Sequence, residues 1–107
     1  MANTYKSYFV DLTTTSKTLI YTVPAKTTAI VKTIQLTNES GNVNTQVYVT
    51  DTSASIEYEV SHSTLAARST ENFAKGSIVL EAGDLIKIQA ATANTVTGVI
   101  SVLHVQY

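Results

Sequence analysis

The chain has 107 residues, enough for one folded unit with a real core and too few for two ordinary ones. Its net charge is −1, from seven basic and eight acidic residues scattered along the sequence, so no Lys/Arg cluster exists to release counterions from a nucleic acid. Cysteine is absent, which excludes disulfides, thiolate metal sites and thiol nucleophiles.

The strongest compositional bias is toward β-branched side chains: 18 Thr, 12 Val and 8 Ile. These are stiff at the first torsion and favour a pleated, half-buried surface. Charged residues make up only 14%, so Thr, Ser, Asn and Gln must cover much of the exterior. A surface so poor in charge resists association weakly.

In chain order, Tyr5 to Leu12 reads as a first strand, ended by Thr13-Thr14-Thr15-Ser16. Residues Met1 to Ser7 read as an arm that orders on docking to a neighbour. Thr18 to Val23 is a second strand, stopped by Pro24, which lacks a ladder donor. Thr28 to Asn38 is the clearest, with Ile30, Lys32, Ile34 and Leu36 on one face and Ala29, Val31, Thr33, Gln35 and Thr37 on the other. A turn over Asn38-Glu39-Ser40-Gly41-Asn42 leads to Asn44 to Asp51, where Thr45, Val47 and Val49 share a face. Ser55 to Ser61 places Ile56, Tyr58 and Val60 inward and Glu57 and Glu59 toward solvent. Ser63 to Lys75 has little periodicity and reads as a long connection or weak strand, with room for a helical turn at Thr64 to Ala67. Ser77 to Leu80, Leu85 to Ala90 and Val96 to Gln106 complete the set, the last apolar on both faces. About eight short strands without a long helix predict an all-β fold: one antiparallel β-sandwich over residues 1–107, of Greek-key or jelly-roll type.

Chemistry-bearing constellations are sparse. His62 neighbours Ser61, Ser63 and Asp51, but a Ser-His-Ser run at a strand end is ordinary and reads as a half-exposed histidine. His104 reads as a structural histidine or a subunit contact. Glu57 and Glu59 stand roughly 6.5–7 Å apart on one strand face, a spacing compatible with paired-carboxylate hydrolysis, yet nothing else builds a saccharide cleft. Asp51 and Asp84 are explained as turn formers. The four glycines are isolated, so no phosphate cradle exists. No catalytic, cofactor or metal residues are therefore expected. Six tyrosines without tryptophan offer apolar area with polar tips, suited to interfaces. The candidate contact residues are Tyr5, Tyr8, Tyr48, Tyr58, Phe73 and Tyr107, with the irregular Ser63 to Lys75 segment beside them.

The run Tyr21-Thr22-Val23-Pro24-Ala25-Lys26-Thr27-Thr28-Ala29-Ile30-Val31-Lys32-Thr33-Ile34-Gln35-Leu36-Thr37-Asn38 resembles a segment of small virion structural proteins of tailed bacteriophages. Ile78-Val79-Leu80-Glu81-Ala82-Gly83-Asp84-Leu85-Ile86-Lys87-Ile88 and Val99 to Val105 resemble the same family. The likeness runs from about Thr18 onward and departs over Ser53 to Lys75. It rests on turn and core motifs, so it brings no catalytic residues.

The resemblance implies a β-sandwich on a virus particle: a capsid decoration or cement protein that binds the outer shell and stabilises it, or a neck, tail or fibre-associated component. The partner would be the major capsid protein or another virion protein, with self-association into a homo-oligomer, a trimer being one option. No stretch approaches the ~20 apolar residues of a membrane span, and Met-Ala-Asn-Thr-Tyr-Lys does not open a secretion signal. The expected location is the virion after synthesis in the host cytoplasm, without nucleic-acid or membrane partners. A carbohydrate-binding sandwich is the alternative class, weakened by the absence of tryptophan.

Overall fold

The computed structural model describes residues 2–107. Nine strands follow one another: β1 (Ala2–Leu12), β2 (Thr18–Thr22), β3 (Thr27–Asn38), β4 (Val43–Asp51), β5 (Ile56–Leu65), β6 (Thr70–Asn72), β7 (Ile78–Leu80), β8 (Leu85–Ala90) and β9 (Val96–Gln106). They form two antiparallel sheets. The first has the order β1-β9-β3-β6, with β7 also on β3; the second has the order β2-β8-β4-β5. If β6 and β7 count as one interrupted strand, this is the order of an eight-stranded jelly roll. The expected sandwich is thus present, with one strand position split in two.

The split has a local cause. After Asn72 the chain turns in, so that the Phe73 amide donates to the Ile34 carbonyl at 2.8 Å and its ring fills the core at 1% exposure. Asn72 Oδ1 accepts the Ile34 and Ala74 amides, which would otherwise lose ladder partners. Phe73 is therefore a core residue, and its place among the candidate contacts is corrected. The helical turn considered at Thr64 to Ala67 is also absent: β5 continues to Leu65, and a tight turn closed by Ser69 N–H to the Ala66 carbonyl follows.

Between the sheets, Val10, Leu12, Ile34, Leu36 and Ile100 of the first meet Val47, Leu65, Ile86 and Ile88 of the second, all buried. The alternation in β3 breaks at a bulge. Ala29 and Val31 face inward in its first half, and Ile34, Leu36 and Asn38 in its second. The register against β9 slips between Val31 and Thr33, leaving Lys32 exposed. One inserted residue reverses the pointing of every later side chain. The uniform two-face assignment made for this strand is thereby corrected.

The turns are tied to one another. Gly83, at φ +90°, donates to the Val23 carbonyl and lets the chain reverse before β8, while Val23 N–H donates to the Asp84 carbonyl. The Asp84 carboxylate accepts the Glu81 amide at 2.9 Å and the Thr52 amide at 3.2 Å. Asn38, fully buried, donates to the Gly41 and Leu65 carbonyls and accepts the Ser40 amide.

Candidate assembly face

The two outer faces of the sandwich differ in chemistry. On the β1-β9-β3-β7 sheet, the register aligns Tyr5, Leu103, Ile30 and Val79 in one row across four strands. Adjacent strands lie about 4.8 Å apart, so this row runs roughly 15 Å. Two rows away, Phe9 stands beside Val99, and on the other flank lies Val105. Tyr5, Phe9 and Val79 are 77%, 82% and 65% exposed. The charged side chains on the strands of this face are Asp11, near one end, and Lys32, at the bulge. An apolar strip of this kind, exposed and rimmed by Thr, Ser and Asn, is the pattern of an interaction surface.

The other outer face is polar. Leu19, Lys87, Tyr48 and Glu59 form one of its rows. Glu57 bridges Lys17 and Lys87 there, at 2.5 Å and 3.3 Å. The hydrogen bond from Lys17 is the first cause of the lowered Glu57 pKa and of the raised Lys17 pKa. The Lys17 ammonium also sits over the Tyr48 ring, 4.1 Å from its centroid. Tyr48 is half-buried, so it belongs to this charged cluster.

The remaining candidates separate similarly. Tyr8 points inward from β1 and packs on Tyr21, ring centroids 4.7 Å apart. Tyr58, opposite Val49, faces the core side of β5, but the short strands β6 and β7 do not cover it, and it is 51% exposed. Ile56 shares this uncovered edge. The side of β5 expected to face away from solvent is not covered: Ile56, Tyr58 and Val60 are each over 40% exposed, and Val60, at the register break of β5, leaves the shared face. Tyr107 is exposed, its amide held by the Lys26 carbonyl. Of the six candidates, Tyr5 lies in the apolar row of the outer face; Leu103, Ile30 and Val79 complete that row, and Phe9 extends the face beyond it. For Phe9 the signal was the odd-numbered side of residues 3 to 11, opposite the core set of Val10 and Leu12; Val79 and Leu103 join it only through the strand registers.

The residues considered for catalysis are not gathered. His62 points out of its sheet while Ser61 and Ser63 point in; Ser63 donates to Glu71 at 3.0 Å, and His62 Nδ1 lies 3.5 Å from Glu59. His104 is buried and shares a hydrogen bond with the Tyr21 hydroxyl. The Met1 to Ser7 arm is also corrected: Ala2 to Ser7 pair with Gln106 to Ser101 in regular register, and Met1 lies outside the described residues. No group of three or more His, Asp or Glu able to hold a metal occurs among the described residues.

No family model matches the sequence, and no curated protein matches it. Among solved structures, a Bacillus endospore appendage protein, described as part of a novel family of disulfide-linked pili, superposes with a TM-score of 0.46 at 16% identity, covering 96% of this chain and 82% of that one. A virus-like particle of the extra small virus of the giant freshwater prawn Macrobrachium rosenbergii gives a TM-score of 0.38 at 16% identity, covering 97% of this chain and 80% of the other. At these scores neither structure assigns a role to this chain.

Proposed function

We propose that the chain is a non-enzymatic structural protein of a bacteriophage virion, a decoration or cement protein that lays its apolar sheet face on the outer capsid and turns its charged face to solvent. The observation that carries this reading is the asymmetry of the two outer faces. A monomer in free solution has no use for Tyr5, Phe9 and Val79 at 65–82% exposure on one sheet face. Burying such a face on the major capsid protein removes apolar area from water at roughly 25 cal/mol per Å². Repetition on a symmetric lattice then turns modest single contacts into stiffening of the whole shell.

The resemblance of the Tyr21 to Asn38 and Ile78 to Ile88 segments to small virion proteins supports the same setting. A position at the neck, tail or fibre is the alternative within it.

The test is rebinding of purified chain to particles stripped of accessory proteins, followed by pelleting. The wild-type chain is expected to co-sediment and the Tyr5→Glu and Phe9→Glu variants to remain in the supernatant. Equal co-sedimentation of variants and wild type would remove this face from the contact.

A further inference from the structure

We propose that β1 is a self-complementary edge through which two copies of the chain pair, antiparallel and two-fold symmetric, with Ser7 opposite Ser7 of the second copy.

β1 is the longest edge strand of the sandwich. Its eleven residues pair with β9 without a register break, and among the described residues no strand pairs with its other side. The remaining edges are poorer templates. β2 has five residues and a register shift, β6 and β7 have three each, and β5 is broken at Val60 and carries Glu57 and Glu59. Proteins blunt edges with shortness, bulges, charge or proline. β1 has neither proline nor bulge, and its backbone groups facing outward need partners.

The second copy is selected by the order of side chains. In a two-fold pair, residues of equal parity must face each other, because only then do both inner faces lie on the same side. The register centred on Ser7 obeys this rule and uses the whole strand, from Ala2 opposite Leu12 onward. It sets Tyr5 against Phe9 on the outer face and Lys6 against Tyr8 on the inner face. The first is an aromatic pair and the second brings an ammonium to a tyrosine ring. Neighbouring registers of the same parity are worse. Centring on Lys6 opposes two ammonium groups, and centring on Tyr8 sets Tyr5 against Asp11. Lys6, a charge pointing to the inner side of an edge strand, would blunt this edge against unrelated strands; the Ser7-centred register gives it a partner.

Pairing also places the two apolar faces side by side in one continuous sheet. This inference concerns the isolated chain and does not depend on where the chain sits on a particle.

The experiment uses the full chain, which has no cysteine of its own. Ser7→Cys is compared with Ser16→Cys, in the exposed turn after β1, under mild oxidation and with a short bis-thiol reagent. Direct opposition brings side-chain carbons to about 5 Å, so Ser7→Cys is expected to cross-link at least tenfold faster than Ser16→Cys. Tyr5→Lys and Phe9→Glu are each expected to lower dimer content in sedimentation velocity, and the double variant Tyr5→Lys/Phe9→Glu to restore it through the opposed Lys–Glu pairs. Equal cross-linking at both cysteines, or a double variant as monomeric as the singles, would overturn the pairing.

Discussion

The Tyr21 hydroxyl lies 2.5 Å from His104 Nε2, joining β2 of one sheet to β9 of the other through the interior. The two residues are 83 positions apart, and their rings stack at 20° with centroids 5.9 Å apart. Tyr8 leans on both. A polar pair inside an apolar core is stable only while each atom keeps its partner. Tyr21→Phe is therefore expected to lower stability by about 1–3 kcal/mol, because the His104 nitrogen loses its hydrogen bond while still buried. Chemical denaturation of Tyr21→Phe, His104→Leu and the double variant measures the coupling directly, and the double variant should cost less than the sum of the singles.

The same pair makes stability depend on pH. Burial is the main cause holding the His104 pKa below its usual value, with the Lys6 charge adding to it; burial likewise pushes the Tyr21 hydroxyl up to about 12. A histidine held neutral in the fold binds its proton more readily when unfolded. The His104 contribution is thus fully present above the unfolded value of about 6.5 and declines as pH falls from there toward the depressed folded value. Urea midpoints between pH 8 and pH 5 should fall for the wild type, and His104→Gln should flatten the part of that slope due to this residue.

Gly98 sits where β9 passes between Val10 and Leu36. A Cβ there would overlap the Gln35 carbonyl oxygen and meet Leu36 Cδ2 at 2.8 Å. Because the obstacle is backbone, the central ladder itself must move. Gly98→Ala is expected to lose about 3 kcal/mol or more, or to fail to fold, in the manner of an overpacked core. Gly41→Ala, with open space at that position, is expected to change stability by less than about 0.5 kcal/mol. Thermal melts of the two variants side by side make the comparison.

Asp84 tests the turn network. Its carboxylate accepts two amides from separate turns, Glu81 and Thr52, and it is 7% exposed. Asp84→Ala leaves both donors to find water in a crowded site, an expected loss of about 1–3 kcal/mol. Amide hydrogen exchange should show the change concentrated at Thr52 and in the β7–β8 turn, where the lost bonds were.

Much of the fold was legible in the sequence because period-two patterning marks a strand wherever one face is buried. Thr45, Val47 and Val49 face inward as their spacing implies, and Pro24 ends the second strand region. The failures share a cause. Lys32 is an inserted residue, and a bulge is invisible to a pattern that assumes strict alternation. Tyr58 and Ile56 do lie on the inward side of β5, but burial depends on what lies across the sandwich, and there the partner strands are short. The burial of Phe73 leaves no mark in the sequence because its segment has no periodicity; its depth comes from a single inward turn. The assembly face is the extreme case. Tyr5, Leu103, Ile30 and Val79 come from four separate strands of the chain and become one row only when the registers of β1, β3, β7 and β9 are known.

The central claim is that the sheet carrying Tyr5, Phe9 and Val79 is buried against the shell of a particle. Cryo-electron microscopy of purified virions from the source tests it most directly. The account predicts density for this jelly roll on the outer capsid, with the apolar sheet against the major capsid protein and the face of Lys17, Glu57 and Lys87 toward solvent. Density in which the apolar sheet faces solvent, or particles that lack the chain altogether, would contradict it.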